Sequence, residues 1–199
     1  MNASKFNLQW PIWFAIAAGF AALYVGLLLP QDPELQWSAP TRFTARIAFP
    51  FLIAAYVARP LFELTRAEWA KSLFARRRYM GLAFAAAHAI HLLAIVLLFI
   101  ELDEAPDLIT LIFGGIAYFL IFAMALTSNS FAMKALGARW KQLHWIGIHY
   151  LWLIFAQSYI GRIFEPSYII EGLIGTAVVI VAAAIRAMAF LGKKRVSRT

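Results

Sequence analysis

The residues of this chain best suited to chemistry are four histidines, and all of them lie in long apolar segments. His88 and His91 fall in one such segment, and His144 and His149 fall in another. An imidazole inside hydrocarbon is costly, so an intramembrane histidine is by default a candidate functional site. A single histidine of this kind is explained equally well as a hydrogen bond between packed helices. Two pairs on two helices favour a ligand-binding role.

The ligand that these residue types favour is haem. The chain has no cysteine, which excludes disulfides, iron–sulfur clusters and thiolate zinc sites. Zinc takes three or four protein ligands, and no carboxylate lies within two helical turns of the histidines in the sequence. A b-type haem needs only one imidazole from each of two facing helices and fills the apolar slot between them.

Helical geometry limits which histidines can share one haem. His88 and His91 are about 60° apart around their helix, so either can face the same slot. His144 and His149 are about 140° apart, so we expect only one of them to face it. Counting residues from the cytoplasmic ends of the two spans places His149 nearer than His144 to the depth of the first pair. A residue level with His91 would lie near 155–157.

Six apolar blocks position these histidines, each long enough to cross a hydrocarbon core of about 30 Å. They lie near residues 11–29, 44–60, 79–100, 108–126, 143–160 and 168–190. The chain is 63% hydrophobic and 14% charged, whereas soluble domains are about 25% charged. We therefore expect an all-α fold, a polytopic membrane helix bundle with about six transmembrane helices that forms a single domain over residues 1–199.

The charged residues predict how this bundle is oriented. Lys and Arg are concentrated after the second, fourth and sixth spans, and carboxylates dominate the opposite loops. The positive-inside rule then places both termini in the cytoplasm of a bacterial inner membrane. The net charge of +8 is explained by this topology and by anionic lipid headgroups, so no nucleic-acid partner is expected.

Two further segments, the first apolar block and the loop after the second span, each predict a structural element. The first apolar block is longer than the hydrophobic region of a signal peptide, and Pro30-Gln31-Asp32-Pro33 follows it where a cleavage site would have small residues. We therefore expect a span there. Thr65 and Glu68 have the spacing of a capping box, which predicts a short interfacial helix on the cytoplasmic face.

Three segments of the chain resemble the ferric-reductase-like transmembrane family. These are residues 77–82 with His91, residues 125–128, and residues 136–144, which include Trp140 and His144. Within that family the chain is most similar to the haem-binding membrane subunits of bacterial periplasmic methionine sulfoxide reductase systems. The resemblance implies a six-span bundle that passes electrons across the bilayer, with His91 and His144 as haem-iron ligands.

One position departs from the family pattern. The family has another histidine thirteen residues after the one at position 144, and this chain has Gln157 there. The resemblance thus implies that an outer haem is missing or uses other ligands, for which His88 and His149 are candidates. One haem b is expected, or two. The wider family adds a flavin and nicotinamide domain that is not expected here, so electrons would come from a quinol or from a partner flavoprotein.

Two functions remain open from the sequence. The first is a haem-b electron-transfer subunit of an oxidoreductase system, which delivers electrons to a periplasmic acceptor or to another membrane redox partner. The second is a non-catalytic membrane subunit that keeps the fold and assembles into a larger complex, and Gln157 favours it. No catalytic residue is assigned. Arg46 and Arg186 are expected to reach lipid headgroups more often than haem propionates.

Overall fold

The computed structural model describes the backbone of residues 3–29 and 37–196, and side chains from residue 8 to 29 and from 37 to 192. Within these ranges the chain forms seven α-helices, and a single 3-10 turn at Pro166–Tyr168 precedes the last. The helices are α1 (Ala3–Leu28), α2 (Ser38–Thr65), α3 (Glu68–Leu102), α4 (Leu108–Leu126), α5 (Ser130–Leu136), α6 (Ala138–Arg162) and α7 (Ile169–Val196). The predicted outer segment at Pro30–Pro33 lies outside the described residues.

The predicted helical membrane bundle is confirmed. Among the described helices, α1, α2, α3, α4 and α7 are long and apolar enough to cross a membrane. The predicted span near 143–160 lies inside α6, which has 25 residues but carries His144, His149 and Gln157. These polar residues lower the mean hydropathy of α6. Because α6 packs against α2, α4 and α7, part of its polar surface meets protein instead of lipid.

Small residues set the close packing of the bundle. Ala48, Ala83 and Ala87 are completely buried where α1, α2 and α3 pack together. At Gly175 of α7 an added Cβ would overlap the ring of Tyr159 on α6. Small side chains let helices approach closely in a membrane, where packing replaces the hydrophobic effect as the source of association.

The predicted interfacial helix between the second and third spans is wrong. Thr65 is the last residue of α2, which ends because Arg66 adopts the left-handed conformation with φ of 54°. Ala67, and not Thr65, occupies the cap position of α3. No glycine or proline interrupts the chain from Glu68 to Tyr79, so this segment continues without a break into the third span.

A slot separates α3 from α6. Over their described lengths these two helices make little or no close backbone contact. Aromatic side chains bridge the space between them. The ring of Phe155 on α6 lies 6.1 Å from the ring of Phe84 and 5.7 Å from that of His88, both on α3. Phe84 and Phe155 are both buried, so this part of the slot is apolar.

Candidate functional site

A cavity of about 120 Å³ opens in this slot and brings together both histidines of α3. Ala45 and Arg46 of α2 form one wall, and His88 and His91 form the second. The α6 wall consists of Ile154, Phe155, Ser158, Tyr159 and Arg162. Of residues 155–157, which were predicted to be level with His91, Phe155 lies on this wall.

Thr44 orients the ring of His91. Its Oγ1 donates to the Pro40 carbonyl at 2.8 Å and lies 3.0 Å from His91 Nδ1. The hydroxyl has one hydrogen, and a carbonyl can only accept, so His91 Nδ1–H donates to Thr44. Nε2 of His91 is thereby left as the nitrogen with the lone pair, the state that a metal ligand requires.

His88 is the most buried of the four histidines, with 7% of its surface exposed. Its ring lies 5.4 Å from that of His91 and 4.3 Å from that of Phe84. Its Nδ1 is buried without a hydrogen-bond partner among the described residues. An unsatisfied buried nitrogen costs stability, so its place on the cavity wall marks a point where a bound group could interact.

Three charged residues stand at the periplasmic end of the cavity in the predicted topology. Arg46 Nε donates to Glu171 Oε1 at 3.0 Å, and Arg162 forms a second salt bridge to the same carboxylate. Glu171 thus joins α2, α6 and α7. Two guanidinium groups share one carboxylate, so this cluster has a net positive charge and can attract an anionic group.

His149 faces a different part of the bundle. Its Nδ1 lies 2.7 Å from the Trp145 carbonyl, so this nitrogen carries the proton and Nε2 keeps its lone pair. The ring meets Tyr56 of α2 edge to face, with centroids 5.6 Å apart. Arg186 of α7 lies over the same Tyr56 ring at 4.3 Å and donates to the Tyr56 carbonyl at 2.9 Å, so this arginine is held by protein.

His144 lies near the cytoplasmic end of α6 in the predicted topology and faces α4. The Thr127 hydroxyl donates to the Ala123 carbonyl at 2.7 Å, so His144 Nε2–H donates to Thr127 Oγ1 at 3.2 Å. The ring also stacks on Trp140, with centroids 4.1 Å apart. The pair with His91 that the family resemblance implies therefore does not share the cavity. Neither His144 nor His149 lies on its wall.

Two residues of the site, Thr44 and Glu171, could not be identified from the sequence. Thr44 is 47 residues from His91 in the chain, and its only sequence signal is a hydroxyl in an apolar helix. Glu171 is a carboxylate in the first turn of α7, and its only signal is an acidic residue beside an apolar block. Both depend on how separate helices meet.

The residues of the slot match a haem in part. His91 offers an imidazole on the cavity wall, Phe84 and Phe155 are apolar, and the arginines at one end suit propionates. The cavity is smaller than the roughly 300–1,000 Å³ of ordinary ligand sites, so side chains between α3 and α6 must move to admit a macrocycle. Among the described residues no three histidines or carboxylates are close enough to hold a bare metal ion.

Comparison with known proteins shows relatives that cover most of the chain. The chain is 34% identical to the "Protein-methionine-sulfoxide reductase heme-binding subunit MsrQ" of Yersinia pseudotuberculosis serotype O:1b (strain IP 31758), over 77% of this chain and 83% of the relative. It is 32% identical to the protein of the same name from Enterobacter sp. (strain 638), over 66% of this chain and 69% of the relative.

Two further comparisons found nothing. No protein-family model matches the chain, and no solved structure matches it. The identity and coverage of the relatives are sufficient to assign the family. The chain belongs to the MsrQ family of haem-binding subunits of the protein-methionine-sulfoxide reductase system.

Proposed function

We propose that this protein binds haem b through His91 and passes electrons across the bacterial inner membrane to a periplasmic acceptor. One observation supports the proposal: Thr44 Oγ1 lies 3.0 Å from His91 Nδ1 and gives its own hydrogen to the Pro40 carbonyl, which assigns the proton to Nδ1 and leaves the Nε2 lone pair for iron. Ligating histidines in metalloproteins are held in this way by a second hydrogen bond, which fixes the tautomer and ring direction. The family supports haem as the cofactor.

The protein's own residues would bind, orient and shield the cofactor. A bound haem supplies reversible one-electron chemistry at its iron. Phe84 and Phe155 keep water from the slot, and this lowers the local dielectric. Arg46 and Arg162 offer donors to carboxylate groups at the cavity end, while Glu171 keeps both guanidinium groups in place.

The electron donor is proposed from the location of the protein. A chain of membrane-spanning helices can meet a quinol within the bilayer or a flavoprotein at the cytoplasmic face. We propose that both termini lie in the cytoplasm, because cations collect in the segments around Arg77 and Lys141 and positive residues stay inside. Electrons then travel from the cytoplasmic or quinol side towards the periplasm.

Either His144 or His149 is proposed as the α6 ligand of a haem in the cytoplasmic half of the bundle, because one helix offers one ligand. His144 occupies the family position, and His149 has a free Nε2. His88 is the replacement candidate within the cavity. The proposals for the α6 histidines can be tested independently of the one for His91. His144 points towards α4 and His149 towards α2, and neither lines the cavity.

A second function is favoured by one observation. Gln157, at the family position of a histidine, is exposed, and the α6 wall of the cavity presents no imidazole. A non-catalytic membrane subunit that keeps the fold and assembles into a larger complex would have this feature.

Purified His91→Ala and His88→Ala variants test the proposal. Loss of the His91 imidazole removes a bond to iron, so the haem-to-protein ratio should fall sharply. His88→Ala removes the alternative ligand candidate one turn away, and this variant should retain haem if His91 is the ligand. Full haem retention in His91→Ala together with loss in His88→Ala would contradict the assignment of His91. Absence of haem from every preparation would favour the non-catalytic subunit.

A further inference from the structure

Cations are concentrated at one place at the periplasmic end of the bundle in the proposed topology. Of the 18 Lys and Arg residues of the chain, only Arg42, Arg46 and Arg162 lie at this end. Arg42 lies in the second turn of α2, and Arg162 is the last residue of α6. All three arginines surround a single carboxylate, that of Glu171 in the first turn of α7. Cations on the outer side weaken the charge asymmetry that orients the chain, so their convergence indicates a local role.

The arginine cluster, defined as Arg42, Arg46 and Arg162, is neutralised only in part by Glu171. Arg46 donates to this carboxylate through Nε, at 3.0 Å, and through Nη2. Arg162 donates to it through Nη1. A guanidinium group has five N–H donors, so both arginines keep further donors. Because three guanidinium groups face one carboxylate, the cluster has a net positive charge.

Arg42 is the member of the cluster that does not line the cavity. It lies one turn outward from Arg46 on α2, and its guanidinium is 5.9 Å from the centre of the Tyr168 ring. Its charge acts on Glu171, but within the part of the chain that the structure describes it forms no hydrogen bond or salt bridge. The donors of Arg42 are therefore available to a ligand from outside the bundle.

Highly exposed apolar side chains flank the cluster. Phe164 is 81% exposed and Ile170 is 75% exposed, and they lie two residues after Arg162 and one residue before Glu171. These residues lie at the ends of α6 and α7, where membrane-spanning helices reach the headgroup region. A ligand that suits both the cations and the apolar side chains has an anionic group joined to hydrocarbon chains.

We propose that the arginine cluster binds the headgroup of an anionic phospholipid in the leaflet that faces the periplasm, with Phe164 and Ile170 against its acyl chains. A phosphodiester accepts charge-assisted hydrogen bonds from guanidinium groups, often in a bidentate arrangement. Phosphatidylglycerol has this group and a net negative charge. Phosphatidylethanolamine has the same phosphodiester but adds an ammonium group, which the guanidinium groups repel. The cluster therefore selects lipids by their net charge, and this selection does not depend on haem.

Site-specific crosslinking to lipid tests the proposal with the full-length protein in nanodiscs. p-Benzoylphenylalanine replaces Phe164, and the nanodiscs contain phosphatidylethanolamine with a minor fraction of phosphatidylglycerol. Illumination should crosslink phosphatidylglycerol in excess of its share of the lipid. Arg42→Gln should lower this crosslink about fivefold, as expected for the loss of one cation beside an anionic headgroup. Arg42→Lys keeps the charge and should retain most of the crosslink.

Phe131 on α5 is the matched control site, because it is equally exposed, at 81%, and lies at the cytoplasmic end of the bundle in the proposed topology. Crosslinking from residue 131 should be unchanged in Arg42→Gln, which also shows that the variant is folded and inserted. Equal crosslinking from residue 164 in the wild type and in Arg42→Gln would overturn the inference. Crosslinking of the two lipids in proportion to their abundance would overturn it as well.

Two soluble competitors distinguish the lipid from other anions. Inorganic phosphate and an oligoglutamate peptide, each added in excess, should leave the crosslink from residue 164 intact, because neither has acyl chains to contact Phe164 and Ile170. Displacement by inorganic phosphate would assign the cluster to a free anion, and displacement by the peptide would assign it to an acidic protein. Either result would overturn the assignment to a phospholipid.

Discussion

The hydroxyl of Thr44 on α2 lies 3.0 Å from Nδ1 of His91 on α3. Thr44 is fully buried, and its own hydrogen is bonded to the Pro40 carbonyl. The contact therefore fixes both the rotation of the imidazole and the nitrogen that carries its proton. It also ties the two most extensively packed helices of the described bundle together at the level of the cavity.

Removal of the Thr44 hydroxyl should weaken haem binding without removing the ligand. In Thr44→Val, His91 Nδ1–H loses its side-chain acceptor, so the imidazole becomes a weaker electron donor. We expect about a tenfold loss of haem affinity, as for other outer-shell partners of metal ligands, and a more positive midpoint potential. Haem titration and redox potentiometry measure these two effects.

Thr44→Ser is the matched control, because it keeps the hydroxyl and removes only a methyl group. It should retain the wild-type midpoint potential. If Thr44→Val and Thr44→Ser have the same potential as the wild type, the hydrogen bond has no influence on the iron, and the assigned tautomer of His91 would lose its support.

His144 and His149 should matter less than His91 for the haem of the cavity. Alanine at either α6 position removes a hydrogen bond and an aromatic contact, which should cost about 1 kcal/mol of stability. We expect both variants to retain the haem held by His91, as measured by the haem-to-protein ratio of the purified proteins. Loss of that haem in His144→Ala would instead support the pairing of His144 with His91 that the family pattern implies.

The contact of α7 with α6 should tolerate no side chain at Gly175. An added methyl group would overlap the Tyr159 ring, so Gly175→Ala should destabilise the protein by about 1–3 kcal/mol. Gly114→Ala is the control, because apart from its own helix backbone and chain neighbours no described atom lies within 4 Å of its added Cβ. Thermal unfolding in detergent, followed by circular dichroism, measures the difference. Equal melting temperatures would contradict this packing.

The orientation in the membrane is open to a direct test. Reporter fusions after Asp103 and after Lys134 should report opposite sides of the membrane, with Asp103 in the periplasm. The reason is the concentration of Lys and Arg around Lys134 and of carboxylates around Asp103. Reports from the same side for both positions would rule out the proposed topology.

The sequence was most informative where apolar blocks have sharp polar boundaries. The span predicted at 108–126 coincides with α4, because Asp107 caps its N-terminus by accepting from the backbone N–H groups of Ile109 and Thr110. The span predicted at 44–60 falls within α2, which extends further at both ends. A helix does not end where the membrane ends, so hydropathy alone underestimates its length.

Contacts between helices could be predicted only in part. The spacing of His88 and His91 indicated that both can face one slot, and the structure places both on one cavity. The partner of His91 could not be predicted, since it depends on the rotation and depth of α2 relative to α3. The same applies to the α6 histidines, whose directions are set by Thr127 and Tyr56.

A reduced-minus-oxidised visible spectrum of the purified wild type tests most directly the claim that this chain is a haem protein. Expression with supplied haem precursor and purification in mild detergent should give a Soret band and reduced α and β bands of a b-type haem. Extraction with acidified solvent should release the haem, because the chain has no cysteine for thioether attachment. A preparation that is folded by circular dichroism yet has no Soret band would contradict the claim.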